Sequence, residues 1–334
     1  MSWALDAGVK LFLPVWFRQK GNAGQPVVPA FAHWLHDGFF RARYAAQARF
    51  AIIFDNYNSC CDGLSSANAT ADLLDNVVPF WLATYWARAE AYLVGGAPLV
   101  IIYDPDLFIS ALGGVAAAAQ ALDGARGLAR AAGFSGIHFM GQWCYGNESA
   151  PHAGWAEAGF GSTLGYHWPT FTDLAGTVPG GRFPPAAQMG ALEPECSERQ
   201  DADALLPSLP TLSPGWNDLP WNPAPGNSNR LWRLDSPEYA SAAAAAAALL
   251  AERRARGATG LHATHLAIDN LNEWAEGHFV GPHREHGFAR LDAIRAALAP
   301  GAPPKQWLLP EDVGLVWDAY TSCFSGANST PCEN

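Results

Sequence analysis

Basic residues are scarce: 20 Lys and Arg stand against 31 Asp and Glu, giving a formal charge of -11 with no local cluster of positive charge. Such a surface repels phosphate backbones and anionic headgroups, so nucleic acid is not an expected partner. No uninterrupted apolar run approaches the ~20 residues that cross a bilayer. The alanine-rich stretch Ser241 to Gly257 reads as a soluble helix, and membrane insertion is not expected. A glycine-rich phosphate loop is also missing, since "GGVAAAAQALDG" has neither the spaced glycines nor the Lys-Ser/Thr of such loops. The six cysteines include no Cys-x-x-Cys pair, so no zinc site, and no cofactor, is expected. The N-terminus shows no basic segment followed by an apolar core and a cleavage site.

Apolar material is plentiful. Hydrophobic residues make up 49% and charged residues 15%, enough to bury a sizeable core and to exclude a disordered chain. Residues 1–300 read as one large domain and residues 301–334 as an extension packed on it or trailing from it. Cys323 and Cys332 bracket a polar tail, and Asn-x-Ser/Thr sequons stand at Asn68, Asn147 and Asn328. Together these suggest an extracellular or secretory-pathway glycoprotein. A monomer is expected.

Short apolar segments alternate with longer helical patterns, as in a parallel sheet wrapped by helices. The strand candidates are "VKLFLPVWF", "RFAIIFDN", "PLVIIYD", "GIHFMGQW", "STLGYHW", "PTLSPGW" and "HLAIDNLN". Helices are expected over Pro29 to Ala45, Ala69 to Leu93, Gly114 to Ala132, Ser236 to Gly257 and Arg284 to Ala299. The expected fold class is α/β, a (β/α)8 TIM-like barrel. That barrel needs eight strands and seven are visible, so its first strand is lacking or truncated. The opening "MSWALDAG" resembles the end of a helix that would follow such a strand. Val178 to Pro185 and Leu219 to Asn229 read as long connecting loops.

Each strand candidate ends in polar or aromatic residues, and in a parallel barrel these ends meet on one rim. That places Trp16, Asp55, Asn56, Tyr103, Asp104, Trp143, Tyr145, Tyr166, His167, Trp168, Trp216, Asp218, Asn272 and Trp274 around a common cleft. Rings beside carboxylates and amides suit a sugar, whose C–H faces stack while its hydroxyls need partners. Glu273 and Glu276 directly follow the apolar "LAI" run, at the end of a strand, where charged residues of barrels do chemistry. Two carboxylates in one pocket do not ionise equally, so one can hold a proton while the other stays anionic, the division of labour in glycoside cleavage. Spacing alone also fits two acids on a solvated helix start. His278, His283 and His286 match no standard metal spacing and read as loop and capping residues. Cys60 and Cys61 read as structural.

The stretch "NLNEWAEGHFVGPHREHGFARLDAIRAAL" resembles the last strand and helix of family 99 glycoside hydrolases, the endo-alpha-mannosidases, and of related bacterial polysaccharide-associated (WbsX-type) proteins. The shared pattern falls on Asn272, Glu273, Trp274, Glu276, Gly277, Pro282, His286 and Gly287. Weaker similarity covers "GGAPLVIIYDPDLF" and "LSPGWNDLPW", where Asn217 and Asp218 stand in reversed order and the usual following Arg gives way around Trp221. The resemblance implies an endo-acting hydrolase that retains anomeric configuration through an anhydrosugar. By the same resemblance Glu273 is the base that activates the substrate's 2-hydroxyl, and Glu276 is the acid. An ordinary retaining route, with one carboxylate attacking carbon directly, stays open. The expected partner is a polysaccharide or glycan substrate. The rival readings are a glycosyltransferase of polysaccharide biosynthesis and a barrel that binds carbohydrate without cleaving it.

Overall fold

The computed structural model describes residues 1–57, 60–143, 153–166, 206–217, 232–283 and 286–301. Seven strand positions follow one another in parallel pairing. The first comprises Leu11–Phe12 and Val15–Gln19, the second Arg49–Phe50 and Ile52–Phe54, the third Ala97–Ile102 and the fourth His138–Trp143. Ser162–Gly165 is the fifth, Ser208–Leu209 with Thr211–Leu212 the sixth, and Ala267–Ile268 the seventh. Register runs from Leu11 opposite Arg49 and Val15 opposite Ile53, through Leu99 opposite His138 and Ser162 opposite Met140, to Thr211 opposite Ala267.

Parallel strands covered on both faces are apolar throughout, and the middle strands obey this. Ile52, Phe54, Val100 and Ile102 join one core with the surrounding helices. The intervening Ile53, Leu99 and Ile101 join a second core with Met140, Leu164 and Leu209. The two sets alternate, as successive side chains of a strand must. A third core, around Leu212, Trp216, Tyr239 and Leu291, lies under the last two long helices.

The expectation of an eight-stranded closed barrel is met in part. The parallel α/β order is present, but among the described residues no strand pairs the seventh position back to the first. A cavity of about 740 Å³ follows that open seam, lined by Leu11, Leu13 and Val15 on one side and by Ala267, Ile268 and Leu271 on the other.

The helices Val115–Ala131, Ser236–Ala255 and Ala289–Leu298 fall inside their expected ranges. Asp235 starts the second of these with a capping box: its carboxylate accepts from Glu238 N, and the Glu238 side chain accepts from Asp235 N, each at 2.8 Å. The helix expected over Pro29 to Ala45 is cut down to turns at Trp34–Phe39 and Ala45–Gln47, because Pro29–Ala30 pairs as a strand with Phe17 and Arg18. Leu93 likewise leaves its expected helix for a strand against Pro98. No single helix among the described residues is long and apolar enough to cross a membrane. The two expected loops lie outside the described residues, as do Cys323, Cys332 and residues 302–334.

Candidate active site

The seventh strand is short because its sequence turns polar at Asp269, and the chain then folds back on itself. Val280 N donates to Asn270 O at 2.8 Å and Gly281 N donates to Leu271 O at 2.9 Å. Inside this hairpin Trp274–Glu276 forms a single 3-10 turn with Glu273 at its N-cap. Glu273 and Glu276 bracket this turn, close enough for the negative charge of Glu276 to act on Glu273. The rival reading of two acids on a solvated helix start does not apply, since the pair brackets a tight turn stopped by Gly277 in the left-handed region at φ 71°.

Glu276 is held from two directions. Tyr166 donates its hydroxyl to Glu276 Oε2 at 3.3 Å, and His278 Nε2 stands 2.8 Å from the same oxygen. His278 is fully buried, and its Nδ1 contacts Asp269 Oδ1. Asp269, 2% exposed, also accepts from Ser213 Oγ at 2.6 Å through its other oxygen. A continuous polar chain thus runs Ser213–Asp269–His278–Glu276–Tyr166 from the core to the rim.

Burial works against charge on His278, yet Asp269 and Glu276 overcome it and push the imidazole up to about 9. Burial raises the Asp269 carboxyl despite His278 and Ser213. Glu273 is raised by its own burial and then by the negative charge of Glu276. The Tyr166 phenol is driven well above its ordinary range by burial, with Glu276 next in importance.

The open-seam cavity ends against this site, taking in Gln142, Tyr166, Asp269, Asn272 and Glu273. Rings line the strand ends. Tyr57 and Tyr103 lie 6.4 Å apart, Tyr103 and Tyr166 5.8 Å, Tyr166 and His278 5.3 Å, and His278 and Trp216 4.9 Å between centroids. Trp274, half exposed, packs at a tilt against Phe279 with ring centroids 4.1 Å apart and meets His283 edge-on.

Glu273, Glu276, Asn272, Trp274, Tyr103 and Tyr166 gather as the sequence leads one to expect. Several other candidates have structural duties instead. Trp16 is 2% exposed, donates from Nε1 to the Tyr85 hydroxyl at 2.8 Å and packs against Phe54 and Trp81, so it offers no face to a sugar. Trp216, 3% exposed, packs on His278. Asn56 is locked to the Asp104 backbone by two 2.8 Å hydrogen bonds, and the Asp104 carboxylate caps the helix Pro105–Ala111 by accepting from Leu107 N. Asp55 is buried and accepts from Tyr57 N at 3.1 Å.

Tyr145, His167, Trp168, Asp218 and the side chain of Trp143 lie outside the described residues. His286 contacts Arg233 and Ser236, while His283 packs on Phe279 and His286, away from the relay. Sequence reasoning passed over Ser213 and Asp269, and it read His278 as a loop and capping residue rather than a partner of Glu276. The one available signal was Asp269 interrupting an apolar strand, which marks a buried carboxylate in need of partners.

Fold and site together describe an α/β domain with a carboxylate pair at the C-terminal end of a parallel strand. The chain shares this fold with family 99 glycoside hydrolases. It resembles the endo-alpha-mannosidase of Bacteroides thetaiotaomicron at 19% identity, with 88% of this chain and 75% of that one covered and a TM-score of 0.53. The structure of the enzyme from this source in complex with bis-tris-propane gives 17% identity, 88% and 82% coverage and a TM-score of 0.53. A glycoside hydrolase-like protein gives 14% identity, 88% and 83% coverage and a TM-score of 0.51. No family model matches the chain, and no curated protein matches it in sequence.

Proposed function

We propose that this protein is a retaining glycoside hydrolase acting on internal bonds of a polysaccharide or glycan, with Glu273 and Glu276 performing the chemistry. One observation carries the reading: the two carboxylates bracket a single turn, Glu273 lines the cavity, and Glu276 is tied to a buried His–Asp–Ser chain. Surface acids on a helix start have no such support. Glu273, with its raised carboxyl range, suits proton holding, and Tyr103, Tyr166 and Trp274 supply faces for sugar rings. The solved structures that share the fold include endo-alpha-mannosidases, which makes mannans and high-mannose glycans the first substrates to try. Secretion belongs to the same proposal, and the exposed sequon at Asn68 is a site to check for a glycan.

The test is a screen of polysaccharides and high-mannose glycans for new reducing ends, run beside Glu273→Gln and Glu276→Gln. Loss of turnover by about 10² to 10⁴ in both variants is expected, the usual share of acid-base help. Unchanged cleavage in both variants removes the assignment. Glycan binding without release of reducing ends turns the reading to a binding barrel.

A further inference from the structure

We propose that Cys60 and Cys61 are a modification site, two adjacent side chains that join in a disulfide and so fix the rim beside Tyr57. The bond stands on its own geometry, and its consequence for glycan binding rests on the hydrolase reading.

The pair follows the second strand, after Asp55, Asn56 and Tyr57 have carried the chain to the rim. Cys60 is exposed and Cys61 buried, and their Sγ atoms stand 2.6 Å apart. Atoms that share no bond keep ~3.5 to 4.0 Å between them when both are carbon, and sulfur is larger. Bonded sulfurs sit at ~2.05 Å. The two thiols are thus pressed well inside contact distance, a small side-chain rotation from bonding.

Cys61 is held in that position from three sides. Its backbone pairs with Gln19, and Asp62 pairs with Arg18 at the end of the first strand. The Asp62 carboxylate accepts from Asn22 N at 2.7 Å and from Ala23 N at 2.8 Å. Gly63 packs so closely on Asn56 that a Cβ there would lie 2.9 Å from the Asn56 carbonyl oxygen. One sulfur is therefore anchored in the wall, while the other faces solvent, where an oxidant reaches it. Tyr57, 61% exposed, stands on the same rim at the outer end of the ring row that runs through Tyr103 to Tyr166 and Glu276. Bonding removes rotamer freedom from both cysteines, so the rim at Tyr57 is held more firmly before a sugar arrives, and less freedom is lost on binding.

The oxidant is a small-molecule disulfide such as glutathione disulfide. Burial, then Cys60 and the acids Asp55 and Asp62, push the Cys61 thiol up to about 12, so the exposed Cys60 attacks first. The Cys60 thiolate bonds to one sulfur of the oxidant and expels the other as a thiolate, which takes up the proton that Cys60 released. The Cys61 sulfur then attacks Cys60 and expels the second glutathione thiolate, to which the Cys61 proton passes. Two cysteine thiols are oxidised, one disulfide is reduced, and two glutathione molecules leave. Proximity makes the second step intramolecular, which offsets the weak acidity of Cys61.

The test uses the full chain, incubated with glutathione disulfide, alkylated without reduction and digested with trypsin. Phe50 to Arg88 forms one tryptic peptide, whose cysteines are Cys60 and Cys61 alone. The expected peptide takes up no alkyl group, is lighter than the dithiol by two hydrogens, and takes up two alkyl groups after reduction. Two alkyl groups without reduction, a glutathione retained on Cys60, or a link to the peptide of another cysteine overturns the pairing. Kinetics on a long glycan then test the consequence. Reducing the bonded protein should raise KM by about 2- to 10-fold, the value of one ring contact, with kcat unchanged. Cys60→Ser, which leaves the buried Cys61 in place, should show the raised KM with and without reductant. Equal KM for bonded and reduced protein overturns the role at the rim. If the peptide is bonded and no glycan is cleaved, the hydrolase reading fails and the modification site stands. If glycans are cleaved and the peptide is never bonded, the hydrolase reading stands and the site fails.

Discussion

Gly277 sits directly against Asn217: a Cβ built on it would lie 2.7 Å from Asn217 Cβ and 2.9 Å from Asn217 N. The two residues are joined from the other side as well, because Asn217 N donates to the carbonyl of Glu276 at 2.7 Å. This junction fixes where the glutamate turn meets the sixth strand's extension. Gly277→Ala would combine a left-handed backbone with a clash against main chain. A loss of about 1 to 3 kcal/mol in unfolding free energy is expected, together with a drop in any glycosidase turnover. Denaturant unfolding checks the first part, and an unchanged midpoint would refute the clash.

Arg18 and Asp72 form the second buried polar unit, 2.6 Å apart with side chains 0% and 1% exposed. Arg18 follows Trp16 at the end of the first strand, where the sequence invites a rim role, yet the guanidinium turns inward to Asp72 and to the Gln25 carbonyl. Arg18→Met leaves Asp72 without its counter-charge and should cost about 3 to 5 kcal/mol, whereas the Arg18→Met, Asp72→Leu double variant should cost less than that single change. Burial alone would raise the Asp72 carboxyl, but hydrogen bonds from Arg18, Asn76 and Ser65 hold it below the ordinary range. Its stabilising contribution is thus complete above the unfolded-chain value near ~3.9 and lost as pH falls through the folded value. Asp72→Asn should flatten the acid side of the stability profile.

Trp274 and Trp216 separate binding from packing. Trp274, 50% exposed, packs at a tilt against Phe279 and is half open to solvent, while Trp216 is 3% exposed against His278. Trp274→Ala should raise KM for a long glycan by about 2- to 10-fold, the value of one ring contact, with melting temperature nearly constant. Trp216→Ala should cost about 3 to 5 kcal/mol of stability. Equal melting temperatures for the two variants would contradict the assignment of Trp216 to the core.

How far the sequence reaches is shown by these same residues. Strand positions were legible because both faces of a parallel sheet are apolar, so "RFAIIFDN" and "PLVIIYD" announce themselves without regard to neighbours. The glutamate pair was legible because charge directly after such a run is conspicuous. Which tryptophans face solvent was not legible, since Trp16 and Trp274 are both followed by polar context and only packing tells them apart. The same holds for His278. Its role depends on Ser213 and Asp269, 65 and 9 residues earlier, and no local pattern connects a serine before a proline with a histidine after a turn. The helix expected from Pro29 fails for a related reason, because pairing of Pro29–Ala30 with the first strand overrides a locally helical pattern.

Tyr166→Phe is a conservative probe of the relay. The ring keeps its contacts with Tyr103 and His278, while the donor 3.3 Å from Glu276 Oε2 disappears. At that length the hydrogen bond is weak in the ground state, so little stability should be lost, under about 1 kcal/mol. If the phenol steadies the charge on Glu276 during bond cleavage, turnover should fall by roughly 10-fold with KM almost constant, the pattern of an interaction felt in the transition state. A raised KM at constant kcat would place Tyr166 among the sugar-stacking rings instead.

His278 also leaves a mark on stability at alkaline pH. Its folded-state range is raised to about 9 from an ordinary value of 6.5, so the charged ring stabilises the fold fully below ~6.5, and that contribution is lost as pH rises through the folded value. Between those limits the unfolded chain has released a proton that the native chain keeps. Unfolding free energy should therefore decline with pH by up to about 1.4 kcal/mol per unit across that window. Asp269 and Glu273 are raised as well and contribute a slope of the same sign, so the comparison with His278→Gln isolates the share of the ring. Chemical denaturation at intervals from pH 6 to 10 gives the slope directly, and His278→Gln should remove most of it. A wild-type profile that stays flat from pH 6.5 to 9 would mean that the ring is neutral in the folded protein.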